Sequence, residues 1–260
     1  MGHSASNFKN DFNAEKVINE FLRKYFYQKI VDKNIIKAFR HITDPNLQHE
    51  GVDTIIITLR DVEVHIDEKA ALDYAKKELT ENALPTFAFE ISYLNREGVL
   101  TEGWLTNSKY RKTEDYLLVW LWIKPDTKMK CLRCEDILQL EVIVLSKKDI
   151  LDTILYYATG DRCLTRFRQI ASKQRAFMLA KKLQQVAIED TISNVDLHLN
   201  EYSMGNFMSK QTKSPIMKWY LTDISRKTEQ PLNIVVNKKI LKELAKSWWI
   251  ITTGNCIRKK

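Results

Sequence analysis

The chain has 260 residues, with 41 Lys/Arg against 33 Asp/Glu and a formal net charge of +8. Its 44% hydrophobic content, with ten Phe, ten Tyr and six Trp, can fill a core and excludes whole-chain disorder; seven Gly and five Pro exclude a collagen-like or low-complexity chain. No apolar run approaches the length of a membrane-spanning helix, about 18 residues, and the opening MGHSASNFKNDF lacks the apolar stretch of a secretory signal, so the expectation is a cytoplasmic protein without membrane contact, its four Cys reduced.

Residues 13–30 read as a helix capped by Asn13, with Val17, Ile18, Phe21, Leu22, Tyr25 and Phe26 recurring at helical spacing. Asp44-Pro45-Asn46-Leu47 marks a helix start or turn. Val52–Leu59 is rich in β-branched residues, Arg60-Asp61 is a turn, and Val62–Ala70 alternates strictly, which predicts a hairpin. Ala71–Leu79 reads as a short helix or irregular crossover, and further strands are expected at Thr86–Ser92, Val99–Thr106, Tyr116–Ile123 and Glu141–Leu145. The almost wholly apolar YLLVWLWI suits a strand covered on both faces. Helices follow at Lys147–Thr159 and over Arg162–Lys182; Ile216–Leu221 is ambiguous, Leu232–Val236 is a strand, and Asn237 caps a helix through Lys246. This order predicts an α/β sandwich around a mixed central sheet.

Charge divides unevenly. Residues 1–145 hold 20 Lys/Arg against 23 Asp/Glu, whereas residues 146–260 hold 21 against 10. An acidic half can carry carboxylate chemistry, and a basic half can attract a polyanion or simply keep the chain soluble. Arg166, Arg168, Lys173 and Arg175 lie in a segment interleaved with Leu164, Phe167, Ile170 and Phe177, where one helical face would pack while the other contacts phosphates or solvent.

The sharpest feature is Asp53 followed by Asp67-Glu68-Lys69. Alternation puts Asp67 and Lys69 on one face of their strand with Glu63 and His65, and turns Val62, Val64 and Ile66 the other way, toward a core. In a hairpin Asp53 would lie beside Asp67. Two converging carboxylates make an oxygen-rich site suited to Mg²⁺, and a lysine beside them can orient a water or stabilise developing negative charge. Taken singly, each acid reads as a solvated turn or strand end; the joint pattern is what points to a site. Cys131 and Cys134 form a CxxC with no second ligand pair, so they read as ordinary thiols rather than zinc ligands. No P-loop, GxGxxG or GxSxG is present, which disfavours ATPase, dehydrogenase and α/β-hydrolase chemistry.

Gly51-Val52-Asp53 with Asp67-Glu68-Lys69 resembles the PD-(D/E)XK nuclease superfamily, Val52 standing where the superfamily usually has Pro. The stretches DPNLQHEGVD, HIDEKAALDY, LPTFAFEISY, EGWLTN and QPLNIVVNKKILKELA are also similar to a group of bacterial and phage-type members. The resemblance implies a restriction-endonuclease-like α/β/α fold, with residues 1–145 as nuclease core. Residues 146–260 would be a basic helical extension whose late strand and helix complete one continuous domain. It implies a Mg²⁺-dependent endonuclease (Mn²⁺ substituting) that hydrolyses DNA phosphodiester bonds, and it admits a homodimer. Asp53 and Asp67 would ligate metal and Lys69 would position the attacking water. An acid from the first helix often supports such sites; Glu20 is preferred here over Glu15. Gln48 and Glu90 are secondary candidates, and Arg166, Arg168, Lys173 and Arg175 would hold the DNA backbone. The alternative is a non-catalytic nuclease-fold protein that binds nucleic acid or a protein partner.

Overall fold

Ala14, Ile18, Phe21 and Leu22 put an apolar stripe on one side of a helix, and an apolar sheet face receives it. A computed structural model describes residues 8–95, 99–169, 171–173, 217–221 and 231–260. Helix α1 (Phe8–Leu22) runs without a break through a π-helical turn, Arg23–Tyr27, into α2 (Gln28–Asp32). Phe26 and Tyr27 of that turn are both buried.

The chain divides into two units. The first comprises residues 1–87, 108–148 and 241–260. It holds a seven-stranded sheet made of β1 (Ala38–His41), β2 (Thr54–Ile57), β3 (Glu63–Ala70), β6 (Asp115–Ile123), β7 (Ile137–Ser146), β10 (Ser247–Ile251) and β11 (Cys256–Arg258), hydrogen-bonded in that order. The β3–β6 pairing is parallel and the others are antiparallel, so the sheet is mixed. Ile66, Leu117, Val119, Leu121 and Val142 form a core with Ile18, Phe21, Leu22 and Phe26 of the helical run, with half-buried Val64 packed against it; each such core side chain, fully buried, stabilises the fold by roughly 1.5–3 kcal/mol. Every residue of β6 is buried. On its other face Trp120 and Trp122 donate indole hydrogen bonds to the carbonyls of Thr86 and Glu81, at 3.1 and 3.0 Å.

The second unit, residues 88–107 and 149–240, carries most of a four-stranded sheet ordered β5 (Leu100–Glu102), β4 (Thr86–Leu94), β9 (Leu232–Asn237) and β8 (Met217–Leu221). Helix α4 is Lys147–Thr159, and residues 164–169 are helical. The short α3 (Pro45–His49) is N-capped by Asp44, whose side chain accepts the Asn46 N–H at 2.9 Å, and α5 is Lys238–Leu244.

The mixed α/β class and the predicted hairpin are present. Three strands escape the sequence reading. Ala38–His41 is too short to show a period, while Ser247–Ile251 and Cys256–Arg258 follow the helix that the sequence runs on to Lys246. That helix stops at Leu244, and Trp249 is a buried strand residue. The ambiguous Ile216–Leu221 segment is strand over Met217–Leu221. Residues 174–182 of the expected basic helix, Arg175 among them, lie outside the described residues.

Candidate active site

Strands β2 and β3 pair in register from Ile57–Glu63 to Thr54–Ile66, so Asp53 and Asp67 come next, opposite one another, just beyond the last paired residues. There β2 ends while β3 continues to Ala70, leaving one edge of β3 without a strand partner among the described residues. The Asp53 side chain fills part of that gap: its Oδ2 accepts the Glu68 backbone N–H at 2.8 Å, and the Asp53 N–H donates to the Ile66 carbonyl at 2.9 Å. A carboxylate thus does the work of a missing strand, and one of its oxygens is committed to the backbone.

The turn that delivers Asp53 depends on Gly51. Its φ is +79°, and a Cβ there would stand 2.5 Å from both Thr113 Oγ1 and the Tyr110 ring. The Thr113 hydroxyl donates to the Gly51 carbonyl at 2.7 Å. Only glycine meets both the backbone angle and the close approach.

Asp67 and Lys69 share a face of β3. Asp67 is 1% exposed, and neither carboxylate oxygen receives a hydrogen bond of good geometry; Lys69 Nζ stands 2.6 Å from Oδ1. Burial pushes the Asp67 carboxyl up, Lys69 opposes that, and nearby Asp53 adds to it, leaving the group at about 7. Burial alone would lower the Lys69 ammonium, but the charges of Asp67 and Asp53 outweigh it and raise it instead. Lys147 is driven down, first by burial, with Lys69 adding to that and Asp67 opposing. Its ammonium sits 5.9 Å from the Tyr116 ring centre, and Tyr116 pairs with Asp67 across the β3–β6 ladder.

Glu68 points to the opposite face, the one covered by the helical run. Its Oε1 accepts the Tyr27 hydroxyl at 2.6 Å and the Thr54 hydroxyl at 2.7 Å, and its Oε2 lies 3.1 Å from the Asn19 amide nitrogen, with that amide oriented to donate. Burial and Asp53 raise Glu68 to about 7, against the two hydroxyl bonds. Burial and the Glu68 charge hold the Tyr27 phenol well above its ordinary range, so it remains a donor. A cavity of about 100 Å³ opens here, lined among others by Glu15, Asn19, Asp53, Glu68, Lys69 and Val119.

The structure therefore brings Asp53, Asp67 and Lys69 together at one strand end. The expected supporting residues have the following places. Glu20 is not among the residues lining the cavity; Glu15, five residues earlier, is. Gln48 donates its amide to the Ile42 carbonyl at 2.8 Å, closing the loop that carries α3. Glu90 lies on β4, in the second unit. Arg166 and Lys173 are exposed, whereas Arg168 is ion-paired to Glu102 at 2.6 Å and donates to the Thr106 carbonyl at 2.9 Å, within the second unit. Cys131 is exposed and Cys134 half-buried, and all four cysteines are free thiols. Sequence reasoning missed Glu68, Tyr27, Thr54 and Asn19. The signal for Glu68 was present: in Val64-x-Ile66-x-Glu68-x-Ala70 it is the one ionisable residue on the apolar register.

Among the described residues no three His, Cys, Asp or Glu side chains converge as a ready-made metal cluster. Three acids, Glu15, Asp53 and Glu68, line the cavity, and such a lining still suits Mg²⁺, which keeps several waters and commonly takes only one or two protein carboxylates. No described helix is long and apolar enough to cross a membrane. No family, characterised protein or solved structure matches this chain in comparison.

Proposed function

We propose that the chain is a divalent-cation-dependent endonuclease of the PD-(D/E)XK type, its first unit restriction-endonuclease-like, acting on DNA in the cytoplasm. One observation carries the reading. A sealed Asp67 holds the Lys69 ammonium at 2.6 Å beside Asp53, where β3 loses its strand partner and a small acidic cavity opens. Structural ion pairs also shift ionisation, but this one lies against a cavity that three further acids, Glu15, Asp53 and Glu68, line.

Asp53 and an acid of the Asp67-Glu68 pair would hold the cation, which when bound would neutralise charge on the scissile phosphate. Lys69 would orient the incoming water and stabilise charge on the phosphate oxygens. As the water oxygen bonds to phosphorus it gives up a proton to solvent, a P–O ester bond breaks, and the departing oxygen takes up a proton from solvent, leaving a phosphate monoester and an alcohol. The exposed basic residues of the second half, Arg166 and Lys173 among them, would contribute phosphate contacts.

The test is supercoiled-plasmid nicking with Mg²⁺ or Mn²⁺, with and without chelator. The expected result is nicking with either ion, little with the larger Ca²⁺, and none in chelator. DNA binding without any nicking would replace this reading by the non-catalytic one.

A further inference from the structure

We infer that Glu68, rather than Asp67, is the second carboxylate that takes the divalent cation with Asp53, and that Asp67 is a positioning residue whose buried charge holds the Lys69 ammonium in place. The inference rests on the nuclease reading and assigns roles within that site.

Three observations carry it. The first is access. Glu15, Asp53, Glu68 and Lys69 line the cavity, whereas Asp67 is 1% exposed and is not among its lining residues. A hydrated cation entering from solvent therefore meets Glu68 before Asp67. The second is preorganisation. Tyr27 at 2.6 Å and Thr54 at 2.7 Å fix Glu68 Oε1, and Asn19 approaches Oε2. Donors from β2, α1 and the π turn thus set the rotamer of a carboxylate on the cavity wall. Such outer partners orient metal-ligating carboxylates and are a usual accompaniment of them. The third is the state of Asp67. Its oxygens are buried without a well-formed hydrogen bond and its charge partner is Lys69, at 2.6 Å. An anion placed so is spent on fixing the ammonium. Asp53 serves both sides, with Oδ2 on the Glu68 N–H and its other oxygen uncommitted to that bond.

The experiment compares Glu68→Gln and Asp67→Asn in the full-length chain, reading Mn²⁺ affinity by isothermal titration beside plasmid nicking. Gln keeps a carbonyl that can accept from Tyr27 and Thr54, so Glu68→Gln should melt near the wild type while binding Mn²⁺ at least tenfold more weakly. Asp67→Asn should bind Mn²⁺ within about threefold of the wild type and nick at least a hundredfold more slowly, the loss lying in kcat. Tyr27→Phe removes one anchor of Glu68 and should weaken Mn²⁺ binding several-fold, a check on the Glu68 assignment through a residue that carries no charge. Mn²⁺ binding lost in Asp67→Asn, or kept in Glu68→Gln, overturns the inference while wild-type nicking leaves the nuclease reading standing. A wild type that neither binds Mn²⁺ nor nicks removes both.

Discussion

Asp67 and Glu68 adjoin in the chain, and burial lifts both to about 7, yet they are held in opposite ways. Glu68 sits among neutral donors, two hydroxyls and an amide, which fix its geometry and leave its charge uncancelled. Asp67 faces a cation and no well-formed hydrogen bond, so its charge is spent locally. Asp115, close by at the start of β6, shows a third arrangement: Lys246 reaches both of its oxygens, at 2.6 and 2.8 Å, clamping the residue that leads into β10 to the start of β6. The kind of partner, more than burial or sequence position, separates an acid available to a ligand from one that serves the scaffold.

The largest effect should come from Lys69→Ala. It leaves Asp67 buried without a counter-charge and removes the group proposed to stabilise the phosphate. Loss of one such donor commonly costs 10²–10³ in rate, so nicking should fall at least a hundredfold. Asp67 can stay protonated to a higher pH in this variant, so the fold should survive at pH 6 and weaken toward pH 8. Nicking at the wild-type rate with an unchanged melting temperature would make Lys69 a bystander.

Gly51→Ala attacks the same pair from behind. It places a Cβ against Thr113 and Tyr110 and forces a positive φ, and the expected cost is roughly 1–3 kcal/mol. Thermal melting should show a drop of several degrees, with weaker nicking because Asp53 is displaced. An unchanged melting temperature would mean that the turn relaxes freely.

Much of this site could be read before any fold was known. The hairpin follows from β-branched residues, a turn and strict alternation, and alternation alone puts Asp67 beside Lys69. The role of Glu68 could not be read so directly. Its position on the apolar register was visible, but its partners come from elsewhere: Tyr27 is 41 residues away and is aimed by a π turn that helical periodicity does not anticipate. Glu15 and Glu20 lie five residues apart in one helix, and only packing decides which meets the cavity. The strands at the C-terminal end are short, and their pairing partners are distant in sequence, so local pattern says little about them.

Acidity gives a smaller and more graded test. In the unfolded chain both acids would titrate near 4, whereas folded they titrate at about 7. Between those values the unfolded state loses protons first and the native state binds more of them. Stability contributed by this pair must therefore fall as pH rises from about 4 to about 7, and level off above. In chelator the melting temperature should decline over that window. Asp67→Asn should flatten the decline, and Mg²⁺, which favours the deprotonated acids, should restore stability mainly at the upper end. A melting temperature that rises across the window in chelator and is insensitive to Asp67→Asn would contradict the assigned ionisation.

The smallest expected effect carries the comparison to the basic second half, where two arginines two residues apart differ in exposure. Arg166 is exposed, while Arg168 is half-buried beside Glu102 and the Thr106 carbonyl. If Arg166 and Lys173 contact phosphates, each neutralised contact should reduce the salt dependence of DNA affinity by about 0.9 in log–log slope. The double variant Arg166→Gln, Lys173→Gln should then bind duplex DNA more weakly at low salt, with a slope shallower by about 2, as read by fluorescence anisotropy across a salt series. Arg168→Gln should behave otherwise. Its charge already faces a carboxylate, so the slope should hardly move, while loss of the pair and of the Thr106 bond should lower the melting temperature slightly; a half-exposed ion pair contributes only about 0–1 kcal/mol. Equal slopes for the wild type and the double variant would assign Arg166 and Lys173 to solubility. A slope change in Arg168→Gln alone would mean that its pairing with Glu102 opens when DNA binds.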